Sequence, residues 1–497
     1  MKLPNFQAQI QYLEEPEIEV GNNICVPEVK MGWTLVGPLG KESKGYEINI
    51  ALIGDLDSIE RTKEMLQRMN VNTRGSGEGF LHTDFPGLSK LKIKINNLYI
   101  MEIDQENIKQ QLEKAPSLTD RVSTAARIIS EKITAISERE PSPDVILVAY
   151  PQIIDTYCIQ GLVGRKGTIR KTRLEKDIEK LRASNHTLYK WLGMDEPERK
   201  EIFMDLRSLI KAKCMKCDIP VQILRPSTTE GYDADKPKHE DDATLFWNLT
   251  IALFYKSNHL PWRVKGLADD TCYIGISFFR DKDDPANVKT ALSQVFSLDN
   301  EGVVFKGQKA IIDESKSPHL SKEDASILVK QAIEAYKLNK EGRLPERIVV
   351  HKTSRYTKDE IDGFNSTIPE IKKVDLVAFG MRDIKLMRWG MQPPIRGTMI
   401  KLPDNSILLY TFGYIPYFGL YPGPRVPTPL EILEYHGKTQ IDQICKEILS
   451  LTKLDWNNAK FCIKSPVTIA FARRVGTIIR ESRVDPKDLK EKFKFYM

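Results

Sequence analysis

The chain has 497 residues, of which 41% are hydrophobic, 29% charged and 8% aromatic; at ~100–200 residues per domain it makes roughly two to four units. No apolar run approaches the ~18–20 residues of a membrane span, so membrane-spanning and disordered classes are excluded. Lys+Arg of 74 against Asp+Glu of 68 leaves +6, too small an excess to mark a nucleic-acid binder, because clustering and not bulk charge builds a field that holds a polyanion.

The opening MKLPNFQAQIQYLEEPEIEV has neither an apolar signal core nor an Arg/Ser-rich transit pattern, and the seven cysteines are odd in number. A reducing, cytoplasmic setting without a membrane is expected. From Gly45, GYEINIALIGDLDSIERTKEMLQRM reads as a strand, a Gly-Asp turn and an amphipathic helix. The pattern returns at LTDRVSTAARIISEKITAISEREPSPDVILVAY and at FMDLRSLIKAKCMKCDIPVQIL, each a helix followed by an apolar strand. Alternation of this kind predicts a parallel α/β sheet whose ligands sit at the carboxyl ends of the strands. Cys214 and Cys217 form a C-x-x-C without a second pair at zinc spacing, and read as two incidental thiols.

After the polar RPSTTEGYDADKPKHEDDA, the segment DATLFWNLTIALFYKSNHLPW is helical and ends at Pro261-Trp262. Beyond it, TCYIGISFFRD, GVVFKGQKAII, ERIVVHKTS and SILLYTFG read as strands. KEDASILVKQAIEAYKL, QIDQICKEILSLTKL and PVTIAFARRVGTIIRESR read as helices. Boundaries fall near residues 40 and 262, giving segments 1–40, 41–262 and 263–497.

Two sets of charges stand out. Arg165, Lys166, Arg170, Lys171 and Arg173 crowd into GLVGRKGTIRKTRLEK, either a flexible phosphate-binding loop or a solvated surface. Lys211 and Lys213 lie on one predicted helix, Gln222 on the strand after it and Lys256 near the end of the later helix. In a doubly wound sheet these either converge on one crevice, two ammonium groups and an amide gripping a terminal phosphate, or simply meet water.

The run DLRSLIKAKCMKCDIPVQIL, then WNLTIALFYKSNHLPWRVKG and CYIGISFF, resembles the MID-to-PIWI junction of Argonaute proteins. PPIRGTMI, LLYTFGYIPYF, YPGPRVPTPLEI and LTKLDWNNAKFCIKSPVTIAFARRVG resemble the carboxyl half of a PIWI domain. The likeness is to short prokaryotic Argonautes, which lack the N and PAZ domains. It implies a Rossmann-like MID domain over 41–262 and an RNase H-like PIWI domain over 263–497, with residues 1–40 packing on the latter. By the same resemblance Lys211, Gln222 and Lys256 clasp the 5′-phosphate of a short guide. Arg207 stands where an aromatic residue often stacks on the first base. Magnesium bridges the guide phosphates and the terminal carboxylate, here that of Met497.

Slicing members hold two metals with four side chains, mostly carboxylates, because only negative charge offsets and spaces the ions. Ser277 and Thr353 occupy the first two of these positions, so the resemblance implies a chain that binds guide and target without cutting. Asp269 and Asp270 precede the strand by several residues and are expected to point elsewhere. Arg263, Lys265, Arg388, Arg396, Arg473 and Arg474 are collective candidates for backbone contacts along a duplex.

The resemblance further implies a 5′-phosphorylated guide, RNA preferred, and a complementary single-stranded target, DNA preferred. It also implies an effector protein with an Argonaute-associated PAZ-like segment joined to a sirtuin-like or TIR NAD-consuming domain or a nuclease, acting in prokaryotic defence against plasmids or phage. The competing expectations are an active guided endonuclease with a displaced metal site and a structural scaffold for the effector.

Overall fold

The computed structural model describes residues 8–40, 45–76, 82–159, 205–230, 240–280, 288–296, 303–313, 317–366, 371–382, 384–390, 393–423, 426–481, 490 and 492–497. The chain opens with β1 (Gln9–Tyr12), β2 (Ile18–Glu19), β3 (Cys25–Val26) and α1 (Val29–Val36); only helices of two turns or more are numbered.

A first α/β unit follows: β4 (Tyr46–Gly54), α2 (Leu56–Arg68), β5 (Ile93–Glu102), α3 (Gln105–Lys114), α4 (Leu118–Ser137), β6 (Val145–Ala149), α5 (Leu206–Cys214), β7 (Val221–Leu224) and α6 (Asp242–Lys256). Its four strands are all parallel, in the order β5-β4-β6-β7. Helices on both faces bury β4 twice over: Ile48, Ile50 and Leu52 join one core, Ala51 and Ile53 the other. That is why the second half of the strand, from Ile50 to Ile53, reads as a continuous apolar run and not as an alternation. Asp55, Ser117, Asp205 and Asp241 cap the helices that follow them, each accepting from a backbone N–H three residues on, worth about 1 kcal/mol apiece.

The second unit holds β8 (Arg263–Val264), β9 (Thr271–Arg280), β10 (Val288–Phe296), β11 (Val303–Lys309), β12 (Ile311–Ile312), β13 (Pro318–His319), α7 (Lys322–Asn339), β14 (Arg347–Lys352), α8 (Lys358–Asn365), β15 (Lys373–Met381), β16 (Thr398–Lys401), β17 (Ile407–Leu409), β18 (Leu430–His436), α9 (Ile441–Leu451) and α10 (Val467–Glu481). Its nine-stranded sheet runs β1-β16-β17-β18-β15-β14-β9-β10-β11. The stretch β11-β10-β9-β14-β15, antiparallel across β9–β11 and parallel from β9 to β15, is the RNase H-like arrangement. The run GVVFKGQKAII, read as one strand, is divided at Ala310: its N–H still donates to Val288 O of β10 at 2.8 Å, and the next two residues, β12, pair with β13 instead.

The opening segment is stitched into this second unit. β1 pairs with β16, and β2 lies between β3 and β8. Trp33 donates to Pro261 O at 3.2 Å and Trp262 to Lys453 O at 2.8 Å, both rings buried, which fixes the junction between the two units. Helix α10 packs on β9 and also reaches α5 of the first unit. Its close approach to β9 needs Gly275, where a Cβ would stand 2.3 Å from Thr468 O.

Candidate nucleic-acid interface

Lys211, on α5, is 4% exposed, and Lys256, the last residue of α6, is 1% exposed. Lys256 Nζ donates to Val221 O at 3.1 Å and to Gln222 Oε1 at 2.5 Å, while Gln222 Nε2 donates to Ile223 O at 3.2 Å. Among the described residues no acceptor takes a hydrogen bond from Lys211. Burial pushes the Lys211 ammonium well below its usual range, and the positive charges of Arg207, Lys256 and Arg474 push it further, against the pull of Asp205. Lys256 is lowered by the same burial and by Arg207. Two buried lysines on α5 and α6, the exposed Arg207 on α5 and the half-buried Arg474 on α10 thus lie together, with Asp205 weighing against them and Asp455 paired to Arg474. Neither buried lysine forms an ion pair with a carboxylate among the described residues, and ammonium groups beside an amide suit phosphate oxygens.

The chain end closes on the same region. Lys494 Nζ donates to Asn258 Oδ1 at 2.6 Å, two residues past Lys256, and Lys490 pairs with Asp218 at 2.9 Å. The rings of Phe471 on α10 and Phe493 lie 4.3 Å apart, and Met497 is 2% exposed. Arg474 holds Asp455 with both guanidinium nitrogens, at 3.0 and 2.8 Å, which fixes its charge in place beside the cluster.

In the second unit Lys352 pairs with Ile276 across the parallel β14–β9 register, so Ser277 and Thr353 follow as neighbours where β14 ends. Ser277 is 6% exposed. On the same face His351 is buried and bonded to Thr468 Oγ1 at 2.9 Å; burial, then Arg347, pulls its pKa down to about 3, leaving a neutral ring. Carboxylates of the second unit are engaged elsewhere. Asp375 and Glu447 grip Arg347, opposite Thr271 at the other end of β9, at 2.6 and 2.7 Å. Glu360 holds Lys352 at 2.5 Å on the opposite face of β14. Asp269 and Asp270 sit at the far end of β9, where Asp270 O accepts from Glu346 N at 2.9 Å; at about 3.3 Å per residue, Asp270 is roughly 20 Å from Ser277. Among the described residues no group of three or more His, Cys, Asp or Glu is placed to hold a metal ion.

No family model matches the sequence, and no curated protein matches it. Solved structures do match in fold. Clostridium butyricum Argonaute bound to a guide DNA (5′ deoxycytidine) and a 19-mer target DNA superposes with a TM-score of 0.60 at 16% identity, over 96% of this chain and 53% of that one. Drosophila Piwi gives 0.58 at 13% identity, over 98% and 56%. A. aeolicus Argonaute gives 0.51 at 15%, over 93% and 52%. The chain has the Argonaute fold. It spans about half the length of the solved proteins it matches.

Within this Argonaute fold the sequence-derived basic residues fall into distinct settings. Lys211, Gln222, Lys256 and Arg207 meet at the cluster, and Arg474, expected along a channel, adds its charge there. Nothing in the local spacing signals that role, because Arg474 arrives on a helix of the other unit. The expectation for Arg396 is corrected. It is 1% exposed, pairs with Glu15 at 2.8 Å, and donates to Thr411 O, to Leu449 O at 3.3 Å and to Thr452 Oγ1 at 3.0 Å, so it anchors the opening segment and cannot reach a duplex. Arg388 lies over the Tyr414 ring, 4.7 Å from its centroid, and donates to Pro393 O. Lys265 pairs with Glu19 at 2.9 Å, Arg263 belongs to β8, and Arg473 is exposed on α10. Arg165, Lys166, Arg170 and Lys171 lie outside the described residues.

Proposed function

We propose that this chain is a guide-dependent recognition subunit that binds a short 5′-phosphorylated strand and a complementary single-stranded target, RNA guide with DNA target being the preferred pairing. The observation that carries the reading is the cationic cluster formed by the buried Lys211 and Lys256 with the exposed Arg207 and the half-buried Arg474, beside Gln222. Two matched structures hold nucleic acid, guide and target DNA in one and externally bound siRNA in the other, and this supports the same class of ligand. Base pairing then supplies sequence specificity and the protein supplies backbone contacts.

Magnesium at the site would depend on oxygens that the cluster's cationic side chains do not supply. The side chains of the cluster are cations and an amide whose oxygen accepts from Lys256, and offer such an ion no free ligand, so the Met497 carboxylate, with guide phosphate oxygens, would have to hold it, a hard-oxygen set of the kind Mg²⁺ takes. Such an ion would offset phosphate charge, while the lysines orient the terminal phosphate and Gln222 fixes the Lys256 ammonium.

In this reading the subunit does not cut. Ser277 and Thr353 stand side by side with neutral side chains where slicing relatives need anionic ligands. Recognition is then passed to a separate effector, a sirtuin-like or TIR NADase or a nuclease carrying a PAZ-like segment, in defence against plasmids or phage. The deciding experiment compares binding of 5′-phosphorylated and 5′-hydroxyl guides to the wild type and to Lys211→Ala with Lys256→Ala. A selective loss for the phosphorylated guide supports the reading. Equal loss for both ends makes the lysines general surface charge.

A further inference from the structure

The nine-stranded sheet ends on β1, and the outer side of that strand is open among the described residues. The direction of its backbone groups follows from two bonds. Tyr410 N donates to Thr398 O at 2.9 Å, so Thr398 turns toward β17 and Met399 toward β1; Leu13 N donates to Gly397 O at 3.0 Å. With Gln11 opposite Met399 and Tyr12 opposite Thr398, the antiparallel alternation aims the odd-numbered residues of β1 at β16. The N–H and C=O groups of Ile10 and Tyr12 therefore point out of the sheet. Edges of this kind are normally blunted with lysine, proline or a bulge. β1, with the sequence QIQY, carries none of these.

The side chains add an apolar surface. Ile10 is 72% exposed and Tyr12 50%. Ile10 lies opposite Ile400, and Ile400 opposite Leu408. Ile400 and Leu408 belong, with Tyr410, to a small satellite core on which Ala8, Ile384 and Leu386 pack. The segment that supplies Ile384 and Leu386 is tied down by Leu386 N donating to Tyr410 Oη at 3.3 Å, and it also presents Met387, 56% exposed, and a fully exposed Trp389. An open ladder and large exposed apolar side chains thus flank one small core, a combination that marks a protein-binding surface.

We infer that an extended segment of the effector subunit adds to the sheet at β1, completing hydrogen bonds to Ile10 and Tyr12 and laying apolar side chains, spaced two apart, against Ile10, Met387 and Trp389. The inference rests on the effector reading above. A row of alternating donors and acceptors at strand spacing is satisfied by polypeptide and by no nucleic acid. The matched Argonaute and Piwi structures have a little under half their length outside the match, so the complete fold in those proteins contains protein that this chain does not supply.

The test co-expresses the full chain with the protein encoded in the adjoining reading frame and follows amide hydrogen exchange in the free chain and in the complex. Expected is at least tenfold slower exchange at Ile10 and Tyr12 in the complex. Ile10→Pro removes an outward N–H without touching the β16 ladder, and should weaken the complex about tenfold, the loss of one or two ladder bonds, while leaving affinity for a 5′-phosphorylated guide unchanged. Ile10→Lys, which keeps the backbone group, should also weaken the complex and covers the case in which the proline variant does not fold. A stable complex with unprotected Ile10 and Tyr12 overturns strand addition and leaves the effector reading standing. No complex at all overturns both. A dimer of this chain alone that Ile10→Lys dissolves assigns the edge to a second copy and overturns the inference.

Discussion

Lys256 Nζ lies 2.5 Å from Gln222 Oε1, so the end of α6 and the strand β7 share a proton donor at the centre of the cationic cluster. The amide fixes the ammonium without neutralising it, which a carboxylate would do. Gln222→Glu is therefore expected to weaken a 5′-phosphorylated guide by tenfold or more, about 1.4 kcal/mol, and a 5′-hydroxyl guide far less. Gln222→Ala, which removes one of two acceptors of Lys256, should cost only a few-fold. Competition binding with the two guide ends separates these outcomes; a Gln222→Glu variant with wild-type affinity would place the phosphate elsewhere.

The same cluster predicts proton uptake on guide binding. Burial holds Lys211 and Lys256 well below the usual lysine range, and the surrounding cations push them further. A phosphate at the cluster favours the charged ammonium and raises both values. The bound state then carries more protons than the free state, so affinity falls as pH rises through the lowered free-state values. Titration calorimetry in buffers of different ionisation enthalpy should report net proton uptake that Lys211→Ala reduces. The salt dependence should shrink with it, by about one unit of slope for each phosphate that the variant no longer neutralises.

Much of this is legible in the residues, for reasons that differ by element. The strands of the first unit are sandwiched between helices, so Ile50 to Ile53 form an unbroken apolar run that announces itself. Lys211, Gln222 and Lys256 sit on elements with clear periodicity, and their grouping follows from a parallel sheet. β1 does not show itself because all four of its residues are exposed and QIQY carries no buried alternation. Arg396 misleads because a guanidinium next to Gly397 with no acidic neighbour in the sequence reads as surface charge, whereas its partner Glu15 lies at the other end of the chain. Arg474 sits on a helix that its periodicity predicts, but only the packing of α10 on α5 brings it to Lys211.

Ser277 and Thr353 lead to a prediction about chemistry. Two metals held beside Ser277 and Thr353 need anionic ligands; Glu360, on the opposite face of β14, is spent on Lys352, and Asp375 and Glu447 are spent on Arg347 at the other end of that strand. Releasing any of them would strand a buried cation, at a cost of about 3–5 kcal/mol. Incubation with a 5′-phosphorylated guide, its complementary strand and magnesium or manganese should leave the target intact, with Ser277→Ala indistinguishable from the wild type in target binding. A single defined cut opposite the guide would refute the non-cutting reading.

The Arg396–Glu15 pair makes a prediction about stability that is independent of nucleic acid. Burial alone would raise the Glu15 carboxyl, but Arg396 and Lys453, which reaches Glu15 at 2.8 Å, outweigh it and hold the group below its usual value. A carboxylate lowered on folding contributes stability that is complete above its unfolded pKa of about 4.3 and is lost as pH falls through the folded value. Glu15→Gln should therefore lower the urea midpoint at pH 7, and the gap from wild type should narrow as the solution is acidified below about pH 4. Arg396→Ala removes the cation and leaves Glu15 to Lys453 alone, together with orphaned acceptors at Thr411 and Leu449; a loss of about 3–5 kcal/mol is expected. Because β1 and β2 flank Glu15, the first amides to lose exchange protection should be those of residues 9–19, ahead of the parallel sheet around β4. Uniform loss across both units would instead mean that Arg396 supports the global core and not the opening segment.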